Sequence, residues 1–195
     1  FIKENLIEFD QDLSNELISD NAKNSRYLFT AYFFKEMKPY LSRNKIKNSQ
    51  RQILENSEEL KEIGENETEI CQIIRQGSIA DFMSHVSTYR VKLSSKVQQS
   101  AYETNTYLVE TNASLVEYAA FHGSVEIMRY LIEEKVEVKP SIFLYAIHSR
   151  NDKIFKALED YKIEINKELY GQLIQESIKC NHIEFLQFFE DKLNK

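Results

Sequence analysis

Six side chains in this 195-residue chain carry the chemistry from which sites are most often built: four histidines, His85, His122, His148 and His182, and two cysteines, Cys71 and Cys180. Metal centres place such residues at short fixed spacings, as in HExxH or paired cysteines two residues apart. None of the six falls in either pattern. A thiol nucleophile needs a histidine base and a group that orients it, and neither cysteine has such partners in any arrangement readable along the chain. His122 and His148 fall near the ends of consecutive helices of the repeat described below. That places both on one expected surface, in contact or solvent-facing roles rather than as a ligand or acid–base pair. His182 is expected to hydrogen-bond in a turn. Four glycines are too few for a phosphate-cradling loop. Glu58-Glu59 and Glu133-Glu134 read as solvated helix faces. The expectation is a protein that is not an enzyme, with no cofactor and no metal.

The elements that would position any site are helices. Only two prolines accompany the four glycines, so tight hairpins are scarce, and 42% hydrophobic against 29% charged residues is enough to build a core. A net charge of −6 and a pI of about 5.4 are a poor electrostatic footprint for duplex binding, and no nucleic-acid partner is expected. The densest basic stretch, Arg43 to Arg51, contains no aromatic stacking partner and reads as a solvated face or loop. The longest apolar run, YLFTAYFF at 27–34, is too short to span a bilayer, so no membrane partner is expected. Cysteine usage fits a reducing compartment, no signal peptide is visible, and a cytoplasmic location is expected. The chain opens on Phe1 and reads as a piece of a longer protein.

The strongest signal is repetition. Aligning Ser114 with Ser141 pairs Leu115 with Ile142, Tyr118 with Tyr145, Ala119 with Ala146, Ile127 with Ile154 and Leu131 with Leu158, all at an offset of 27 residues. Each copy reads as helix, tight turn, helix. Leu115, Tyr118, Ala119 and His122 follow helical spacing, Gly123 ends the first helix, and Ser124 starts the second. KCNHIEFLQFF at 179–189 repeats the second-helix pattern, with Asn181 at the Gly123 position. ICQIIRQGSIADFMSHV at 70–86 supplies an earlier copy with its turn at Gly77. One such hairpin cannot bury its own apolar face, and stacking on a copy does so.

AAFHGSVEIMRYLIEE and NHIEFLQFFED resemble the ankyrin repeat. In detail the chain is similar to a divergent ankyrin subfamily, expanded in some parasitic protists and described as a domain of unknown function, with a block of the type ETN…SLVEYAAFHGS…IFLYAIHS. The resemblance covers about 66–193. It implies an all-α solenoid of helical hairpins at about 66–87, 112–138, 139–165 and 166–195, with an insertion at about 88–111; residues 1–65 lie outside it and read as N-terminal helices that cap the stack. The family's Thr-Pro-Leu-His stands here as Ser114-Leu115-Val116-Glu117. The short connections EKVEVK and DYKIEIN leave little or no strand. The function implied is a protein–protein interaction scaffold working through a concave face. Carried over position by position, its contacts fall on Arg75, Gln76, Ser114, Glu117, Phe121, His122, Leu144, His148 and Ser149, with Phe121 and Leu144 as apolar anchors and Arg75 as the charge. Partner identity and oligomeric state stay open. The alternative is a structural spacer or self-association segment of a longer repeat protein. The sequons at Asn66 and Asn112 read as chance.

Overall fold

A computed structural model describes Tyr32, Phe33, Lys35, Pro39 and residues 57–193. Apart from those four residues, the apolar helix expected at 28–41 lies outside the described residues, as does most of the capping region at 1–65. Among those described the protein is all-α, with ten helices and no strand; the sole β feature is an isolated bridge between Lys96 and Ser114. The helices are α1 Ser57–Ile63, α2 Glu69–Gln76, α3 Ile79–Tyr89, α4 Thr106–Thr111, α5 Leu115–Phe121, α6 Val125–Glu133, α7 Ile142–His148, α8 Asp152–Asp160, α9 Lys167–Lys179 and α10 Ile183–Leu193. None is long and apolar enough to cross a membrane.

The chain divides into two compact units, 1–67 with 99–110, and 68–98 with 111–195. The expected insertion at 88–111 is thus shared: its 99–110 segment groups with the first unit. There α1 ends at Gly64, whose carbonyl accepts from Thr104 N at 3.0 Å and Thr104 Oγ1 at 2.8 Å. Asn66 is buried in the same unit and its N–H faces Glu103.

In the second unit the helices come as four antiparallel pairs. The first helices pack in sequence, α2 on α5, α5 on α7, α7 on α9; the second helices α3, α6 and α8 do likewise. The sequence offset survives as backbone geometry. Each hairpin turns through one left-handed residue: Gly77 (φ 71°), Gly123 (73°), Arg150 (50°) and Asn181 (54°). A second left-handed residue follows the second helix at Arg90, Lys135 and Lys162. Alternating small and large residues fill the interior. Ala119, Ala120 and Ala146 let neighbouring helices approach, and Ile127, Met128, Leu131, Ile154 and Leu158 fill the second row; all are fully buried.

Some helix starts are specified by side chains, while α2, α6 and α7 have no side-chain cap, Ser124 before α6 included. Ser114 caps α5 in a reciprocal box: its Oγ accepts from Glu117 N at 3.5 Å, and its own N–H donates to Glu117 Oε2 at 2.8 Å. Asn151 caps α8 and Asn166 caps α9. The turns are also tied to one another. Ser124 Oγ donates to the Ile74 carbonyl, Asn151 Nδ2 to the Gly123 carbonyl at 3.1 Å, and Arg150 Nη2 to the Cys180 carbonyl at 3.4 Å.

Gly123 and Gly77 share a conformation and differ in surroundings. A Cβ on Gly123 would stand 3.2 Å from Asn151 Nδ2, whereas one on Gly77 would meet nothing within 4 Å. Gly77→Ala is expected to cost about 1 kcal/mol of backbone strain. Gly123→Ala is expected to cost about 1 kcal/mol more, because it also disturbs the Asn151 bond. Urea unfolding of both variants checks the difference, and equal losses would show that the Asn151 contact yields freely.

Candidate functional site

The left-handed turn residue fixes a common register for the first helices. Two positions before it stand Arg75, Phe121, His148 and Lys179; five positions before it stand Gln72, Tyr118, Tyr145 and Glu176. These two columns meet across neighbouring hairpins. Arg75 Nη1 donates to Tyr118 Oη at 2.8 Å, and His148 Nε2 donates to Glu176 Oε1 at 3.0 Å. The two bonds are equivalent in register and differ in chemistry. The first joins a surface cation to a phenol. The second joins an imidazole to a carboxylate whose residue is only 7% exposed.

Around the second bond the described residues concentrate their reactive groups. His148 ends α7, while Glu176 and Cys180 lie four residues apart along α9 and its C-cap, on one face. Ligand atoms of the three residues all lie within 4.8 Å of one another. Cys180 Sγ is 3.5 Å from His148 Nδ1 and 3.9 Å from Nε2. Lys179 Nζ holds the other Glu176 oxygen, Oε2, at 3.0 Å. Phe121 covers the imidazole, its ring stacked at 4.8 Å between centroids and 23° between planes.

Burial pushes the His148 imidazolium down in pKa, with the Glu176 carboxylate opposing. Burial also pushes the Cys180 thiol up, helped by Glu176 and opposed by Arg150 and Lys179. Near neutral pH the pair is therefore a neutral imidazole beside a thiol, not an ion pair primed for attack. The sulfur also stands in the wrong place for a base to take its proton. A sulfur in line with the Nδ1 lone pair would be much farther from Nε2, and the near-equal distances place Sγ beside or above the ring.

The remaining expected contact residues disperse. Ser114 and Glu117 are occupied by capping each other, and Glu117 also meets Lys96 at 3.4 Å. Ser149 is consumed by its turn, donating to the Ala146 carbonyl at 2.7 Å and accepting from Asn151 N at 3.1 Å. Gln76 is exposed and Leu144 half-exposed. Gln76 lines a polar groove with Glu69, Gln72, Asp81 and His85 between α2 and α3.

Three expectations need correction. Phe121 was expected as an accessible apolar anchor, but it is 8% exposed and packs between hairpins against His148. The reason lies in the register: the position two before the turn faces the next hairpin once that hairpin stacks. His122, expected to be in contact or solvent-facing, presses against the Tyr118 and Phe121 rings with its Nε2 sealed from solvent and unpartnered. Burial, with the Arg75 charge second, lowers its pKa to about 4. His182, expected in a turn hydrogen bond, has the same sealed and unpartnered Nε2.

Sequence reasoning missed Glu176 altogether and placed His148 and Cys180 apart. The signal was present in the alignment of Asn181 with Gly123, which puts Glu176 at the Tyr118 position and so opposite His148. The chain matches no protein-family model, no curated protein and no solved structure.

Proposed function

We propose that the protein is a non-catalytic, ankyrin-like helical-hairpin scaffold for protein–protein interaction. The observation that carries the reading is the recurrence of one turn geometry and one set of neighbour-to-neighbour contacts through four hairpins. Such a stack holds its turn side rigid, which lowers the ordering cost of binding a partner there. The contact set is narrower than the resemblance implies. Leu144, in the first turn of α7, is the apolar anchor, and Gln76 with the accessible part of Arg75, at the end of α2, is a separate polar contact. Phe121, Ser114 and Ser149 serve the scaffold itself.

Affinity capture from a lysate of the source cells tests this, with wild type beside a Gln76→Arg/Leu144→Glu double variant of unchanged circular dichroism. A specific partner is expected on the wild type and to bind the variant at least about tenfold more weakly, as befits loss of an anchor. The same set of proteins on both baits would remove the turn side as the binding surface.

One observation favours a second reading, self-association or continuation of the stack. Ile74, Ala120 and Ile147 occupy the position three before each turn and are fully buried, whereas Ile178 at the same position in the last hairpin is 61% exposed, close to Ile183 at 62%. Concentration-dependent association in sedimentation, abolished by Ile178→Lys, would place this reading ahead of the first.

A further inference from the structure

We propose that His148, Glu176 and Cys180 form a binding site for a divalent metal ion of the zinc class, with His148 Nε2, Glu176 Oε1 and Cys180 Sγ as the protein ligands. The site is independent of the scaffold reading and adds a cofactor class to it.

The donor set is the first argument. Imidazole, carboxylate and thiol are the three ligand types that zinc accepts, and three protein ligands leave a fourth position for water or an incoming group. Calcium and magnesium would call for more oxygens and no sulfur. Distances are the second. In a zinc tetrahedron with metal–ligand bonds near 2.0–2.3 Å, neighbouring donors are about 3.3–3.7 Å apart. Nε2 stands 3.0 Å from Oε1 and 3.9 Å from Sγ, either side of that edge. Nε2 and Oε1 already face each other; Sγ, beside or above the ring, must turn about the Cys180 Cα–Cβ bond to meet an ion on the Nε2 lone pair. Rigidity is the third: Glu176 and Cys180 are one turn apart on α9, and His148 is clamped by the Phe121 ring.

Sγ lies off the line of a good hydrogen bond to His148, so no hydrogen bond to that ring has to break for Cys180 to turn. The carboxylate is supported from behind, because Lys179 binds Oε2 and leaves Oε1 to face the site. Nearby, the sealed Nε2 of His182 has no hydrogen-bond partner. Entry of the ion moves the His148 proton from Nε2 to Nδ1 and releases the Cys180 proton to solvent. The 2+ charge is then balanced by one carboxylate and one thiolate, which suits a site this poorly solvated.

Cobalt(II), which takes zinc's place and is coloured, is the probe. Titrating the intact, reduced chain with Co²⁺ is expected to give a thiolate-to-cobalt charge-transfer band and intense tetrahedral d–d bands. They should saturate at one ion per chain and disappear on addition of zinc. Cys180→Ala should abolish the charge-transfer band, and Glu176→Gln and His148→Gln should each weaken zinc at least about 100-fold in equilibrium dialysis. Cys71→Ala, a change at a buried cysteine outside the cluster, should leave the bands intact. Circular dichroism of each variant separates ligand loss from unfolding. A folded wild type that gives no charge-transfer band, or a band that survives Cys180→Ala, overturns the site.

Discussion

Phe121→Ala is expected to lower folding stability by about 3–5 kcal/mol, the range for truncating a buried phenylalanine. The ring is 8% exposed and sits at the seam between the second and third hairpins, with His122 at its edge and His148 on its face. Its removal opens a cavity at a place where two hairpins meet, and each hairpin relies on its neighbour to cover its apolar face. Urea unfolding of the variant beside Leu144→Ala checks this. Leu144, half-exposed in the first turn of α7, should lose about 1 kcal/mol or less. If Phe121→Ala unfolds at the wild-type midpoint, the ring is not a packing residue and returns to the list of partner contacts.

Acidification is expected to destabilise the protein through His122 by about 2–3 kcal/mol between pH 7 and pH 4. The imidazole has an ordinary pKa of 6.5 in the unfolded chain and about 4 in the folded one. Between those values the unfolded chain holds a proton that the folded chain does not. The stability is thus fully present above pH 6.5, falls as pH falls toward 4, and changes no further below it, at about 1.4 kcal/mol per pKa unit. Partial exposure of the ring holds the expected loss below the full conversion. Protonation would put a second cation beside Arg75 without any acceptor at Nε2. His122→Phe keeps a ring against Tyr118 and Phe121 and has nothing to titrate. Its stability at pH 7 should match or exceed that of wild type, and its loss on going to pH 4 should be smaller by that amount. Parallel pH profiles for the two proteins would show that His122 takes up its proton as readily in the folded chain as in the unfolded one.

The hairpins were legible because the residues that make them act locally. Gly77, Gly123 and Asn181 announce left-handed turns, and Ser114 with Glu117 announces a capped helix start. Arg150 does not, since arginine has no preference for that conformation and is held there by its neighbours. The convergence of His148, Glu176 and Cys180 was not legible for a different reason. It depends on which residue of one hairpin faces which residue of the next, and that register emerges only when the turns are superposed. The same error made Phe121 look accessible: a position at the end of one helix looks outward until the next hairpin is laid against it. The connections after the second helices, expected to hold little or no strand, open on left-handed residues at Lys135 and Lys162 and contain none.

The side-chain bonds that join one turn to the next, from Ser124 to Ile74, from Asn151 to Gly123 and from Arg150 to Cys180, have a consequence for inheritance. Each obeys a nearest-neighbour grammar: a side chain at or beside one turn meets a backbone carbonyl at or just before an adjacent turn. Carbonyls do not depend on residue identity, so a duplicated or excised 27-residue copy still finds an acceptor in any neighbour. A gene encoding such a chain can lengthen or shorten by whole copies without rewriting the others. Copies are then at liberty to diverge in the two columns that face across the seams, where one seam holds arginine and tyrosine and another histidine and glutamate.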